Sequence, residues 1–276
     1  MKYENVCFGY LSFVNENNKN RRLDLFKNSL KNLSGMKGLC HLASFDNNSI
    51  PEVKNLLIDF GFDLNFQFDK NFYDLAVLYG TYYVSKKLGC DYMIYSYDDI
   101  SYMQNDFLKD SIKFLDKNKD VDCVRICSYE RENETFRAEK FGKTANPDAI
   151  NHWASHKNNA KLTWEDSQKI NNNVFHINDW HYTSRSCMFR VNSFEKYVVD
   201  LEELPVLNFF EGHVYQNNRE FGIKTGILEG GAFKTIAQHS VENSERLNLG
   251  NNFLRNIKIK PKDIEENIDK LWGYNE

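Results

Sequence analysis

Short apolar runs alternate with amphipathic stretches through the first half of the chain. Apolar residues dominate 6–13, 39–45, 63–68, 91–97 and 121–127, which predicts buried strands. Between these runs, apolar residues recur every three or four positions and predict helices over 23–33, 51–60, 73–88 and 107–115. Strands that alternate with helices predict an α/β fold, with a mostly parallel sheet flanked by helices.

The pattern changes after about residue 130. Residues 130–173 are polar with little periodicity, which indicates an insertion over the ligand-binding edge of the sheet. Strands are predicted again at 181–191, 223–228 and 232–237, and helices at 193–199, 209–218 and 261–272. We expect a single domain with a first half (1–128), an insertion (129–173), a second half (174–240) and a C-terminal helical segment (241–276).

Composition and charge exclude several classes of protein. The chain is 41% hydrophobic and 27% charged, which is typical of a folded protein rather than a disordered one. Its net charge of -4 argues against a protein that wraps nucleic acid. No apolar stretch approaches the ~20 residues of a membrane span, and the N-terminus lacks the pattern of a secretory signal. Six scattered cysteines without a CxxC pair favour reduced, buried thiols and a cytoplasmic protein.

Two adjacent carboxylates, Asp98 and Asp99, directly follow the fourth predicted strand. Because like charges at the exit of a buried strand repel each other, a cation is needed to keep both ionised. A divalent metal with oxygen ligands meets this need, and a diphosphate can complete its coordination. The alternative is a solvated turn, but the carboxyl ends of parallel strands form the ligand-binding edge of such sheets. The position therefore favours a metal site.

Asp46 is the second candidate, because it ends the second strand at the same edge. A carboxylate there can accept the imide N–H of uracil or the amino protons of another base. The alternative is an Asx turn that only shapes the loop.

The chain resembles the nucleotide-sugar glycosyltransferases of the GT-A (Rossmann-like) type, in a family-2-like form. The likeness rests on the loop after the first strand, on Asp-Asn-Asn-Ser at 46–49, and on a helix and strand at 71–99. That strand ends in a variant of the Asp-x-Asp motif, Tyr97-Asp98-Asp99. The stretch from Glu211 to 238–240 is also similar, because in the family a carboxylate opens a helix near the acceptor and a strand pair leads to a histidine. The resemblance covers about 5–128 and 174–240.

The resemblance implies a metal-dependent, hexosyltransferase-like enzyme. It would move a sugar from a nucleotide-sugar donor, UDP-linked, to a glycan, lipid-linked or other hydroxyl acceptor, with inversion. The implied ligands of Mn2+ or Mg2+ are Asp99, Asp98 and His239. The implied donor contacts are Asp46, Tyr10, Ser12 and Asp98. Glu211 is the first candidate for the general base and Asp179 the second.

Other readings of the same residues remain open. A retaining transferase with this fold would not need Glu211 as a base. A catalytically silent carbohydrate-binding protein is favoured by Tyr97 in the motif and by Gly212 directly after Glu211. Arg185 and Arg190 are candidates for phosphate pairing or for a structural role. The sequence has no GxSxG elbow, P-loop or GxGxxG fingerprint.

Overall fold

The computed structural model describes residues 2–103, 106–128, 165–178, 186–198, 201–206, 210, 224–235 and 256–273. The strands of the first half are β1 (Val6–Ser12), β2 (His41–Asp46), β3 (Leu64–Gln67), β4 (Tyr92–Tyr97), β5 (Ile100–Tyr102), β6 (Val121–Arg125) and β7 (Cys127–Ser128). Those that follow are β8 (Gln168–Ile170), β9 (Asn173–Asn178), β10 (Cys187–Arg190), β11 (Leu204–Pro205), β12 (Lys224–Leu228), β13 (Phe233–Thr235) and β14 (Lys258–Ile259). Several predicted features lie outside the described residues. They are the site residues Asp179, Glu211 and His239 and nearly all of the helix at 209–218.

The described helices match the apolar periodicity of the sequence. They are α1 (Lys19–Leu33), α2 (Pro51–Phe60), α3 (Leu75–Leu88), α4 (Phe107–Lys117), α5 (Val191–Val198) and α6 (Pro261–Trp272). Pro51 and Pro261 lie in the first turns of their helices, where the missing N–H costs nothing. Gly89 ends α3 with a φ of 69°, a conformation that glycine adopts without strain. None of the described helices is long and apolar enough to cross a membrane.

A nine-stranded sheet lies at the centre of the described residues, in the order β3-β2-β1-β4-β10-β6-β12-β9-β8. The strands β10 and β9 run opposite to the other seven. The fold class is therefore α/β as predicted, with most strands in one direction. Half of the neighbouring pairs are nevertheless antiparallel, because β10 lies between β4 and β6 and β9 lies between β12 and β8. A smaller sheet has the order β5-β13-β7, and its strand β5 directly follows β4 in the chain.

A hairpin of β8 and β9 forms the outer edge of the large sheet. β8 lies inside the segment that the polar pattern indicated as an irregular insertion over the ligand-binding edge. Asn171 and Asn173 donate side-chain hydrogen bonds of 2.5 and 2.8 Å to the buried carboxylate of Asp110 on α4. Phe175 of β9 also stacks on Phe114 of α4, with ring centroids 4.5 Å apart. The turn of the hairpin is therefore held by polar contacts and β9 by apolar packing, and the polar turn residues account for the weak apolar periodicity of this segment.

Two apolar clusters cover the two faces of the sheet. Tyr10, Phe26 and Leu30 belong to the cluster beneath α1, whereas α3, α5 and α6 pack on the opposite face. α3 approaches β1 very closely, since a Cβ atom on Gly9 would lie 1.8 Å from Thr81 Oγ1. This close approach fixes the position of β1 in the sheet.

Tyrosines of α3 hold the C-terminal helix α6 and the short helix α5. Tyr83 donates to Asp269 Oδ2 at 2.9 Å, and Lys87 donates to Asp269 Oδ1 at 2.7 Å. Tyr82 and Lys86 donate to Glu195 Oε1 on α5 at 2.9 and 2.6 Å. These contacts join three helices through partly exposed carboxylates.

These carboxylates predict that the protein loses stability in acid. The hydrogen bond from Lys87 lowers the pKa of Asp269 below 3.8, and the bond from Lys86 lowers the pKa of Glu195 below 4.5. A lowered folded pKa contributes stability that is present above the unfolded value and is lost as the pH falls through the folded value. We expect the melting temperature to fall below about pH 5, and to fall less steeply in Asp269→Asn. Identical pH profiles for the two proteins in thermal denaturation at fixed ionic strength would contradict this.

Candidate active site

The order in which strands are added to the sheet reverses between β1 and β4. From β1 the chain adds β2 and β3 on one side, and β4 then pairs on the other side of β1. A crevice outside the carboxyl ends of the strands at such a switch point is where α/β sheets bind ligands. The end of β1 and the pair Asp98-Asp99 meet at this crevice. It is the candidate active site.

Backbone and hydroxyl groups join the loops after β1 and β2. Val14 N donates to Ser49 Oγ at 3.0 Å, and Ile50 N donates to Val14 O at 2.9 Å. Asn47 N donates to Ser12 O at 2.9 Å. The two loops therefore form one rigid wall of the crevice.

Asp46 lies inside this wall, where none of its surface is exposed. Its Oδ1 accepts from Ser12 Oγ at 2.7 Å, and its Oδ2 accepts from Ser49 N at 3.0 Å. Burial raises the pKa of Asp46, and the hydrogen bonds from Ser49 and Ser12 oppose the rise. Asp46 and Ser12, both predicted to contact the nucleotide-sugar donor, are thus in contact with each other. Recognition of a base by Asp46 stays a prediction.

The loop after β3 joins the same wall through Asn47. Its side chain accepts from Phe72 N at 3.0 Å and donates to Tyr73 O at 2.7 Å. Tyr73 has a φ of 57°, which is uncommon for a residue with a side chain. Strained backbone of this kind is often found at functional sites.

Tyr10 is buried in the core. Its ring is buried among Phe26 and Phe62, and its hydroxyl donates to Ser29 Oγ at 3.1 Å. Ser29 in turn donates to Ile100 O, directly after the Asp98-Asp99 pair. Burial raises the pKa of the Tyr10 hydroxyl well above its ordinary value. Tyr10 therefore supports α1 and the turn after β4 from the core side.

Asp98 is held by two donors from the first loop and α1. Its Oδ1 forms an ion pair with Arg22 Nη2, and its Oδ2 accepts from Phe13 N at 3.1 Å. The Asp98 side chain is 4% exposed and the Arg22 side chain 18%. The cation that sequence analysis required for two adjacent carboxylates is thus supplied, at Asp98, by the protein itself.

The contacts of Asp98 bear on its predicted role as a metal ligand. Arg22 already supplies a positive charge to Asp98, whose oxygens accept from Arg22 and Phe13, so Asp98 is the weaker of the two predicted carboxylate ligands. Asp99, which is also buried, keeps the right chemistry for a hard divalent cation. Across the described stretches of chain, three metal-ligating side chains do not cluster anywhere. A metal at this site would therefore need Asp99 and ligands from other parts of the chain.

The ends of two described strands lie near the crevice. β13 pairs antiparallel with β5, with Thr235 opposite Ile100, so β13 ends beside the turn that carries Asp99. β10 runs antiparallel to β4 and so begins at the carboxyl edge of β4, where Ser186 Oγ donates to Ser96 Oγ at 3.4 Å. His239 and Asp179 lie outside the described residues, and their roles stay predictions.

Arg190 has the structural role that sequence analysis left open. Its guanidinium donates to the carbonyl oxygens of Leu115, Val121 and Asn118, the last at 3.0 Å. It thereby satisfies carbonyls at the end of α4, so it is committed to the fold.

Arg22 is the site residue that sequence analysis missed. It lies in the first turn of α1, which contains no acidic residue. A basic residue is unfavourable at the positive end of a helix dipole unless an anion lies close to it. A basic first turn without acidic residues therefore indicates a nearby anion. Asn47 and Ser49 were also missed, because their roles depend on contacts between loops.

No protein-family model matches the chain, and no curated protein matches it. Among solved structures, the chain is similar to CMP:2-keto-3-deoxy-manno-octonic acid synthetase complexed with CTP, at 8% identity and a TM-score of 0.46. The match covers 88% of this chain and 98% of that one. A mannosyltransferase from Pyrobaculum calidifontis in complex with GDP-Man and Mn2+ matches at 10% identity and a TM-score of 0.48, over 81% of this chain and 54% of that one.

A third similar structure is glucosyl-3-phosphoglycerate synthase from Mycobacterium tuberculosis, in complex with Mn2+, UDP and glucosyl-3-phosphoglycerate. The identity is 10% and the TM-score 0.47, over 88% of this chain and 75% of that one. No substrate or activity of this chain follows from likeness at this level.

Proposed function

We propose that the chain transfers a sugar from a nucleotide-sugar donor, UDP-linked, to a hydroxyl acceptor. The observation that carries the proposal is the pair Asp98-Asp99 at the switch point between β1 and β4, beside a wall of joined loops. The resemblance of 46–49 and 97–99 to GT-A glycosyltransferases agrees with this position. The acceptor is a glycan, a lipid-linked molecule or another hydroxyl compound.

The joined loops would bind the nucleotide. Asp46 and Ser12 shape the wall at the end of β2, where a nucleobase would lie against the backbone. Because Asp46 is fully buried and both of its oxygens already accept hydrogen bonds, it would accept the imide proton of the base only in exchange for the bond from Ser12 or Ser49. Because Ser49 and Asn47 fix the three loops to one another, the wall is formed before the donor binds. A preformed site loses less conformational entropy on binding.

Asp99 and the predicted ligand His239 would hold Mn2+ or Mg2+. When bound, the cation would offset the negative charge that develops on the departing diphosphate. Asp98 is left out of this set because Arg22 neutralises it.

An inverting transfer also needs a base at the acceptor hydroxyl. Glu211 would accept the proton, with Asp179 as the second candidate. If neither carboxylate is needed, the retaining route on the same fold is the better account.

The proposal predicts nucleotide release from a nucleotide sugar. The protein is incubated with UDP-, GDP- and CMP-linked sugars and Mn2+, and free nucleotide is measured. We expect release from one UDP-sugar, with kcat/KM lower by about 10²-fold or more in Asp99→Asn. Asp59→Asn, an exposed carboxylate on α2, is the matched control and should react normally.

Binding without release from any donor would overturn the proposed activity. It would favour the carbohydrate-binding alternative, which Tyr97 in the motif and the neutralised Asp98 both support. Equal rates in Asp99→Asn and Asp59→Asn would remove Asp99 from the reaction.

A further inference from the structure

The ion pair between Arg22 and Asp98 lies at the exit of β4, directly beside Asp99. The Asp98 side chain is 4% exposed, and its two oxygens contact Arg22 Nη2 and Phe13 N, the latter at 3.1 Å. Phe13 begins the loop after β1, and Arg22 lies in the first turn of α1. One carboxylate therefore connects β4, the first loop and α1.

A carboxylate this well buried must be paired with a positive charge. A metal ion could provide that charge, but the Arg22 guanidinium already does. A divalent cation at Asp98 Oδ1 would lie beside the like charge of Arg22, which opposes its binding. Arg22 and a divalent cation therefore compete for Asp98.

We propose that Arg22 is a positioning residue that occupies the cation position at Asp98 and keeps this carboxylate out of the metal site. The metal then depends on Asp99 and not on Asp98, and Asp98 serves to fix the first loop at the crevice. The role of the metal rests on the proposed function, but the competition between Arg22 and a cation does not. It can be measured without any turnover.

The test measures binding of Mn2+ alone, by electron paramagnetic resonance of the free ion, to the full chain without nucleotide. In Arg22→Met, Asp98 loses the positive charge of its ion-pair partner, and we expect Mn2+ to bind at least ~10-fold more tightly than in the wild type, because affinity grows with the charge of the ligand set. Asp98→Asn alone leaves the Arg22 charge beside Asp99, so it should not raise Mn2+ affinity and should lower it far less than Asp99→Asn does. The double variant Arg22→Met/Asp98→Asn should return to the wild-type affinity.

Arg22→Lys is the conservative control, since it keeps a cation at Asp98 and should bind Mn2+ as the wild type does. The proposal is overturned if Asp98→Asn weakens Mn2+ binding as strongly as Asp99→Asn does. It is equally overturned if Arg22→Met shows no gain.

Loss of the ion pair can also unfold the protein. In that case Mn2+ should restore the circular dichroism of Arg22→Met far more than that of the double variant, and a failure to do so counts against the proposal. The two proposals can fail separately. If Arg22→Met binds Mn2+ more tightly but the protein releases no nucleotide from any sugar donor, this inference is supported and the proposed function is rejected.

Discussion

Replacing Gly9 with alanine should destabilise the protein by about 3 kcal/mol, the upper end of the usual cost of overpacking a core. The added Cβ would lie 1.8 Å from Thr81 Oγ1, 3.0 Å from Thr81 Cβ and 3.1 Å from Phe45 Cε2. Thr81 lies on α3, which packs on the sheet, so neither partner can move without disturbing the neighbouring core. Chemical denaturation followed by circular dichroism measures the loss.

The variant Thr81→Ala tests the cause of this loss. It removes the 1.8 Å contact and leaves the two longer ones, so Gly9→Ala/Thr81→Ala should recover part of the stability. A coupling of about 1–2 kcal/mol in the double-mutant cycle is the expected result. Gly273→Ala is the matched control, because a Cβ there meets nothing within 4 Å, and it should change stability by no more than about 0.5 kcal/mol. Additive effects of Gly9→Ala and Thr81→Ala would refute the steric explanation.

Glu211→Gln should lower the rate of sugar transfer by ~10²–10⁴-fold while UDP binding persists. Glutamine keeps the shape of the side chain but cannot accept the proton of the acceptor hydroxyl at neutral pH. The acceptor is then a poor nucleophile, whereas the contacts of the donor are untouched. Single-turnover kinetics with saturating donor, together with calorimetry of UDP, separate the two effects.

Asp179→Asn is measured in parallel, because Asp179 is the second candidate for the base. Glu195→Gln serves as the control, since Glu195 is paired with Tyr82 and Lys86 in the helical layer. A normal rate in Glu211→Gln together with a slow rate in Asp179→Asn would transfer the role to Asp179. Normal rates in both would favour the retaining route.

Local sequence patterns predicted the elements of the first half. The apolar runs gave β1 to β4 and β6, and the positions of Pro51 and Gly89 gave one end of α2 and of α3. Each of these signals acts over a few residues, through the period of the side chains or through a backbone dihedral angle. The position of Asp46 and of Asp98-Asp99 at strand ends followed directly from them.

Contacts between distant residues could not be predicted in this way. The pairing of Arg22 with Asp98 joins two residues 76 positions apart, and no local pattern records it. Two adjacent carboxylates indicate a nearby cation, but they do not indicate that a side chain of the same protein supplies it at Asp98. The position of β10 was missed for the same reason, since its neighbours in the sheet are set by the whole topology.

The position of β10 in the sheet also affects how the chain folds during synthesis and whether it can be cut into fragments that fold. β4 and β6 are complete by residue 125, but the strand that lies between them ends only at Arg190. Before β10 has been synthesised, β4 and β6 each have an unpaired edge. Unpaired strand edges readily pair with other chains. The first 128 residues, which contain the whole wall of joined loops, therefore cannot complete their own sheet. A fragment of residues 1–128 would require the later strand to be supplied by a second polypeptide.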